Sequence, residues 1–297
     1  MDATASGDAG ATAPDEWSAR VSGLVAALMA EWRLTATGPA TERGPARVQP
    51  VVTDDGIEAT LEVAPPDPNR AGSVVALQTW GGKGAARLLT ADPRRGAVLL
   101  ERLGDAALTV LPPLDGCTVV TGLYPELHVP ATAALPQLAP FVAARLDGVA
   151  GLGRDVPLPG RFARQALVAG RSLLADMPRT VVHGDLTYHT VVAGGRRPWL
   201  AVAPYGFAGD PCYEPAPLLW HRWGDYGSDL TAGILDRFWA IVDGTGWDER
   251  RVRDWVVVRS VAEVAATVAR AGRRPLSARD LALVTRMIVT CKAMQGV

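Results

Sequence analysis

The sequence predicts an α+β protein with two lobes, a small β-rich N-lobe followed by a larger helical C-lobe. Two observations predict this division. Up to Leu103 the apolar residues fall in short runs that are typical of strands, and beyond it they recur mostly at helical spacing. A chain of 297 residues is long enough for two such lobes. We expect the N-lobe over residues 15–104, the C-lobe over 105–297, and a disordered tail over 1–14.

The predicted N-lobe is a helix followed by an antiparallel sheet. Apolar residues between Trp17 and Trp32 recur at helical spacing, so an amphipathic helix opens the lobe. Residues 47–52 and 58–63 flank the turn TDDG, and an Asp-Gly turn between apolar runs is typical of a β-hairpin. The remaining elements are a helix over 71–80 and strands over 85–89 and 97–103.

Helical periodicity dominates the predicted C-lobe. It is strongest in five segments, residues 134–146, 161–174, 230–242, 249–271 and 278–294. Two short apolar runs, 180–182 and 198–202, are predicted strands. The tryptophans of the last helical stretches, Trp239, Trp247 and Trp255, are predicted to be core residues, because that is the usual place of a single Trp.

Composition excludes several classes of function. A net charge of -1 does not support nucleic-acid binding, and no apolar run is long enough to cross a membrane. The three cysteines form no CxxC pair or Cys/His cluster, so we expect no disulfide framework and no metal site. The start of the chain has no signal-peptide pattern, and we expect a cytoplasmic protein. Of the 30 basic residues only Lys83 and Lys292 are lysines, a bias typical of a high-GC bacterium.

The segment most informative about chemistry is VVHGDLTYHTVV at residues 181–192. A short apolar strand enters His-Gly-Asp, and a second apolar run follows. A glycine beside a carboxylate at the end of a strand is a way to hold an acid rigidly above a cleft. Asp185 is therefore the leading candidate for an acid/base residue.

Several motifs stand in the order of a known family. They are EWRL at 31–34, GAARLL at 84–89, LLERL at 99–103, the His-Gly-Asp loop, and PAPLL at 215–219. On these motifs the chain resembles the aminoglycoside phosphotransferases, and most of all their streptomycin and hydroxyurea phosphotransferase branch. The resemblance covers nearly the whole chain and implies a protein-kinase-like fold.

The chain departs from this family at the positions that handle ATP and Mg²⁺. The family loop reads HGDLHxGN, with the Asp as catalytic base and the Asn as a Mg²⁺ ligand; here Asp185 is kept, but the Asn position holds Thr190. A second Mg²⁺-binding Asp is replaced by Ala203, and the lysine that holds the ATP phosphates is replaced by Glu62. The acid that pairs with this lysine is also missing from residues 71–73. Because phosphoryl transfer depends on phosphate positioning and charge neutralisation, these losses together predict that it is gone.

Other candidate residues surround the His-Gly-Asp loop. His183, Tyr188 and His189 are candidates to assist Asp185 in catalysis, against the alternative of structural or solvated loop residues. Residues for substrate binding are expected among the polar and aromatic groups downstream: Tyr205, Asp210, Glu214, Trp220, His221, Trp223 and Asp225. A structural role is favoured for Asp210. Glu62 is expected to be an exposed strand residue.

Three functions follow from these observations. The first is a repurposed enzyme that performs cyclisation, isomerisation or elimination by acid/base chemistry, in the setting of bacterial natural-product biosynthesis. The second is an ATP-dependent aminoglycoside-type O-phosphotransferase, and the third is a non-catalytic, ligand-binding pseudokinase. The first predicts a small organic molecule as the substrate, no cofactor, and no nucleic-acid or membrane partner; the oligomeric state is left open.

Overall fold

The computed structural model describes residues 14–295, except 66, 68–70 and 154. The tail predicted over residues 1–14 lies outside the described residues, apart from Pro14, which begins the first helix. The chain divides into two compact units. The first contains the described residues up to Asp67 together with Leu89–Arg102, and the second contains the rest.

This division differs from the predicted lobe boundary, because residues 71–88 group with the second unit rather than with the first. The reason is that this segment forms hydrogen bonds with residues of the second unit. The Trp80 indole N–H donates to the Leu127 carbonyl at 2.7 Å, and the Ala86 N–H donates to the Ala201 carbonyl at 2.9 Å. A strand predicted over 85–89 therefore starts only at Leu88.

The first unit is a helix on an antiparallel sheet, as predicted. Helix α1 spans Pro14–Glu31, and the sheet has the strand order β1-β3-β4-β6-β5 with β2 paired to β3. The strands are β1 (Leu34–Ala36), β2 (Thr41–Arg43), β3 (Ala46–Thr53), β4 (Glu58–Val63), β5 (Leu88–Asp92) and β6 (Ala97–Glu101). The predicted hairpin is confirmed as β3–β4, with Gln49 opposite Leu61.

The sequence pattern of α1 explains its packing. Trp17, Val21, Val25 and Leu28 lie at helical spacing and bury one face against sheet residues that include Leu61. The expectation that Glu62 is exposed is wrong. Glu62 is only 7% exposed, because strand β4 lies between β3 and β6 and is covered along most of its length.

The second unit contains eight helices and five short strands among its described residues. They are α2 (Ser73–Trp80), β7 (Leu103–Ala107), α3 (Pro113–Leu127), α4 (Leu138–Ala150), α5 (Gly160–Ala175), β8 (Thr180–Val182), β9 (Val191–Gly194), β10 (Trp199–Ala201), β11 (Phe207–Gly209), α6 (Ala216–Trp220), α7 (Leu230–Thr245), α8 (Glu249–Ala271) and α9 (Ala278–Ala293). The five predicted helical segments are confirmed as α4, α5, α7, α8 and α9, with ends shifted by up to a few residues. Of the three tryptophans predicted as core, Trp255 is fully buried, whereas Trp239 and Trp247 are partly exposed.

The short strands place the His-Gly-Asp loop. Strands β8 and β11 pair antiparallel, with Val182 opposite Phe207. As a result, the residue that follows β8 lies beside those that precede β11, and the His183 carbonyl accepts hydrogen bonds from the N–H groups of Tyr205 (2.8 Å) and Gly206 (3.2 Å). Strand β9, which follows the loop, pairs with β10 and β7, so the loop is held by strands at both ends.

No helix in the described part of the chain is both long enough and apolar enough to cross a membrane.

Candidate functional site

The His-Gly-Asp loop is held by a buried carboxylate. Glu214 is fully buried and accepts hydrogen bonds from the backbone N–H groups of His183 (2.5 Å) and Gly184 (3.2 Å) through one oxygen. Burial opposes the charged form of Glu214. The neighbouring His128 and Arg259 outweigh this effect and hold the pKa of Glu214 below its ordinary value. The carboxylate therefore remains charged and fixes the start of the loop.

His183 lies behind the loop and is bonded through both ring nitrogens. Its Nδ1 accepts from the Asp185 N–H at 3.2 Å, so Nε2 carries the proton and donates to the Val202 carbonyl at 2.9 Å. The ring is fully buried. These bonds hold the Asp185 backbone in place, which suits a positioning role for His183.

Gly184 has a backbone conformation that suits glycine. Its φ of +85° lies in the left-handed region, and an added Cβ would press against Tyr205 and Phe207 at 3.1 Å. The Gly184 carbonyl accepts a hydrogen bond from Arg259 at 3.1 Å. The glycine thus allows the sharp turn that directs the next residue, Asp185, away from the strand.

The Thr190 hydroxyl closes the loop on itself. Its oxygen accepts from the Thr187 N–H at 2.8 Å and donates to the Asp185 carbonyl at 2.8 Å. The Thr187 hydroxyl in turn accepts from the N–H of His189 at 3.1 Å. The Thr190 side chain therefore stabilises the turn of the loop, and its one oxygen takes part in both hydrogen bonds.

Ala203 follows β10 in a left-handed conformation, with a φ of +54°. Asp and Asn tolerate this region better than Ala does, so the backbone suits the Asp of the family pattern although the side chain is a methyl group. A methyl group offers no oxygen to Mg²⁺. In the described part of the chain, no three His, Cys, Asp or Glu side chains gather where they could hold a metal ion. The residues at these family positions thus do not fit a Mg²⁺–ATP site.

Asp185 opens onto a cavity of about 320 Å³ that lies within the second unit. Its walls come from the His-Gly-Asp loop, the segment after β10, the α6 region, and helices α4, α8 and α9. The lining residues are Phe141, Val142, Arg145, Asp185, Tyr205, Tyr213, Pro217, Trp220, His221, Val258, Arg259, Ala262, Glu263, Leu283, Arg286 and Met287. The volume is in the range of pockets that bind small molecules. Apolar and aromatic side chains share the wall with several charged ones, so polar and apolar surface line the cavity in nearly equal parts.

Of the other catalytic candidates, Tyr188 points away from the cavity. It is fully buried, its hydroxyl lies 3.2 Å from both the Cys117 Sγ and the Pro113 carbonyl, and burial raises its pKa well above the ordinary value. His189 is exposed, and its ring lies 6.1 Å from the ring of His221. The structure therefore places His189 at the surface beside His221, which lines the cavity, and Tyr188 in the core.

The substrate-binding candidates divide into two groups. Tyr205, Trp220 and His221 line the cavity. Glu214 and Asp210 are buried and hold the framework. Trp223 and Asp225 do not line the cavity; the Trp223 ring packs on Tyr226, and Asp225 forms an ion pair with Arg222.

Much of the cavity wall was not predicted. The charged and aromatic lining residues that sequence reasoning missed are Phe141, Arg145, Tyr213, Arg259, Glu263 and Arg286. A signal existed for two of them. Arg259 and Glu263 are separated by one helical turn and are the two charged residues in the largely apolar run from Val256 to Val264, where a charged side chain needs a polar partner or a cavity.

Comparison with known proteins assigns the family. Residues 31–272 match the family described as aminoglycoside/hydroxyurea antibiotic resistance kinase. The chain is 34% identical over 251 residues to a streptomycin 6-kinase of Streptomyces glaucescens, covering 82% of this chain and 81% of the relative. It is 37% identical over 264 residues to a hydroxyurea phosphotransferase of Kitasatospora aureofaciens, covering 85% and 74%.

Comparison with solved structures identifies the fold. A crystal structure of a choline/ethanolamine kinase family protein from Mesorhizobium loti matches with a TM-score of 0.65 at 19% identity and covers 95% of each chain. At that identity the match shows the fold alone, and the fold is kinase-like, as the sequence motifs implied. With the family match extending over most of the chain, this protein belongs to the aminoglycoside/hydroxyurea antibiotic resistance kinase family.

Proposed function

We propose that this family member binds a small organic molecule in the Asp185 cavity and converts it by acid/base chemistry that does not use Mg²⁺–ATP. The observation that carries the proposal is the place of Asp185. Its carboxylate borders a cavity of small-molecule size, and the backbone around it is held by the hydrogen bonds of His183, Thr190 and Glu214.

A fixed carboxylate in such a cavity is suited to move protons. In a cyclisation, isomerisation or elimination, Asp185 takes a proton from one atom of the ligand and returns it to another atom or to the leaving group. No cosubstrate is consumed in such a cycle. A partly enclosed cavity favours it, because limited access of water strengthens electrostatic interactions with the ligand.

The residues at the family's nucleotide positions also support the proposal. Glu62 offers an anion where a lysine would attract phosphates, Ala203 offers no metal ligand, and the Thr190 oxygen is engaged within its loop. Phosphoryl transfer is almost entirely positioning and charge stabilisation. We infer that the residues at these three positions together oppose phosphoryl transfer.

A second candidate function is ATP-dependent phosphorylation of a hydroxyl group on a small molecule. The relatives favour it, because they are named as kinases and phosphotransferases and share a third of their residues with this chain. The retained Asp185 suits the role of base in that reaction as well. Formation of a phosphorylated product from streptomycin or hydroxyurea with radiolabelled ATP would establish this candidate and refute the first.

The Asp185→Asn variant tests the proposed role of Asp185. We expect the wild-type protein to consume at least one compound in a screen of bacterial metabolites without nucleotide, and the variant to be slower by about 100-fold or more. The measurement is the turnover rate by mass spectrometry, alongside ligand affinity. Asp225→Asn is the matched control, since it removes an exposed carboxylate outside the cavity and should keep full turnover.

Unchanged turnover in Asp185→Asn would remove the proposed base. Tight binding of a compound without turnover in the wild-type protein would instead support the non-catalytic pseudokinase.

A further inference from the structure

We propose that the ligand of the Asp185 cavity carries an anionic group, a carboxylate or a phosphate, on a body with aromatic or aliphatic surface, and that Arg145 and Arg286 bind this group. The inference rests on the proposed function in taking the cavity as the ligand site. It adds the chemical class of the ligand, which differs from the polycationic class expected for an aminoglycoside.

The proposal rests on the charged side chains of the cavity wall. Three arginines, Arg145, Arg259 and Arg286, line the cavity with two carboxylates, Asp185 and Glu263. Glu263 lies 3.2 Å from Arg270, which does not line the cavity, so its charge is already balanced. The wall is thus positive overall, and a polycation would be repelled from it.

Two of the three arginines are available for a ligand. Arg259 is bound within the fold, since it donates to the carbonyls of Tyr213 at 2.7 Å and Gly184 at 3.1 Å. Arg145 and Arg286 have no carboxylate within 4.0 Å among the described residues. A guanidinium group without a carboxylate partner can donate several hydrogen bonds to one bound anion.

Both arginines lie near aromatic rings, and Arg145 is in close contact with one. The Arg145 guanidinium lies 4.3 Å from the centre of the Phe141 ring, and that of Arg286 lies 6.0 Å from the centre of the Trp223 ring. Stacking on a ring limits the motion of a long side chain, so less freedom is lost when an anion binds. The two arginines come from different helices, α4 and α9, and both reach the same cavity.

The pKa of His221 is lowered by burial and by the same positive environment. It lines the cavity, and burial together with His189, Arg259 and Arg286 lowers its pKa to about 4. The neutral imidazole is therefore present near neutral pH and adds a hydrogen-bonding group without adding repulsion between cations. An anion bound nearby would stabilise the protonated form, so its binding should raise the pKa of His221.

The remaining residues of the cavity wall indicate what kind of ligand body would fit. Phe141, Tyr205, Tyr213 and Trp220 present aromatic surface, and Leu283 and Met287 present aliphatic surface. Such a wall binds rings and alkyl groups through their apolar area. The ligand class is therefore an organic acid or phosphate ester whose compact body presents some aromatic or aliphatic surface.

A matched set of ligands tests the proposal directly. The set is 4-phenylbutyrate, 4-phenylbutyl phosphate, 4-phenylbutan-1-ol and 4-phenylbutylamine, measured by calorimetry and by thermal shift without nucleotide. We expect one or both anions to bind at least about tenfold more tightly than the alcohol, and the amine to bind most weakly. Comparing the two anions identifies which group the arginines prefer.

Variants assign the effect to the cavity. Arg145→Met and Arg286→Met should each weaken binding of the preferred anion by about tenfold and leave the alcohol unchanged. Arg279→Met is the control, because Arg279 lies on the same helix as Arg286 but is exposed and does not line the cavity. An NMR titration of His221 should show a higher pKa when the anion is bound.

The failures of the two proposals are distinguishable. Equal or tighter binding of the alcohol or the amine would overturn the anion inference and leave the cavity as the ligand site. Anion binding that Arg279→Met weakens as much as Arg286→Met does would also overturn it. Binding of none of the four compounds would count against the cavity as the ligand site and so against both proposals.

Discussion

The Asp210→Asn variant is expected to lose at least about 3 kcal/mol of unfolding free energy. Asp210 is 1% exposed, and its Oδ2 accepts from the Arg251 Nε and the Trp255 Nε1, both at 2.6 Å. Its Oδ1 accepts from the Cys212 N–H at 3.0 Å. Both oxygens of Asp210 accept hydrogen bonds, and an asparagine keeps only one of these oxygens. Its NH₂ group would therefore face an N–H donor of the protein. In addition, the charge of Arg251 would lose its buried partner.

Urea unfolding measures this loss, and the chain offers a matched control. Asp176 is 92% exposed and lies 3.6 Å from the same arginine, Arg251. Because exposed ion pairs contribute little, Asp176→Asn should change stability by less than about 1 kcal/mol. Similar losses in both variants would show that burial of Asp210 is not what matters, and its structural role would have to be given up.

The Gly72→Ala variant is expected to destabilise the second unit by about 3 kcal/mol or more. A Cβ on Gly72 would overlap the carbonyl oxygen of Gly206, and that oxygen belongs to backbone that has little freedom to move. Gly206 has a φ of +76° and directly follows Tyr205, which lines the cavity. Ligand binding should therefore weaken along with stability.

Gly122→Ala is the control for the Gly72 substitution. Gly122 lies inside helix α3, and an added Cβ would have nothing within 4 Å. Alanine is the better helix former, so this variant should gain about 0.5–1 kcal/mol. Thermal and urea unfolding measure both variants, and a Gly72→Ala protein as stable as the wild type would contradict the close approach of the two backbones.

Local pattern accounts for most of the fold that could be predicted. The hairpin β3–β4 follows from its Asp-Gly turn, and helices α7, α8 and α9 follow from long periodic runs. Helix α3 was missed, because Pro113, Gly116, Gly122 and Pro125 all weaken the helical signal. Pro113 stands at the first position, where its missing N–H costs nothing, so the structure tolerates what the sequence pattern disfavours.

The candidate site was predictable only in part. Asp185 stands out in the sequence, because His-Gly-Asp follows a short apolar strand, and its place in the cavity agrees with a functional role. Sequence alone does not show that Tyr188 turns into the core toward Cys117. Arg145 and Arg286 belong to helices far apart in the chain, and nothing local to either residue indicates that they meet at one cavity.

The most direct measurement of the central claim is a calorimetric titration of the full-length protein with ATP in the presence and absence of Mg²⁺. A related phosphotransferase that retains the lysine, Asn and Asp of the family pattern serves as the positive control. We predict no Mg²⁺-dependent binding, because the family resemblance puts Glu62, Thr190 and Ala203 at the positions whose residues hold the phosphates and the metal. Clear Mg²⁺-dependent binding of ATP would contradict the claim and favour the phosphotransferase function.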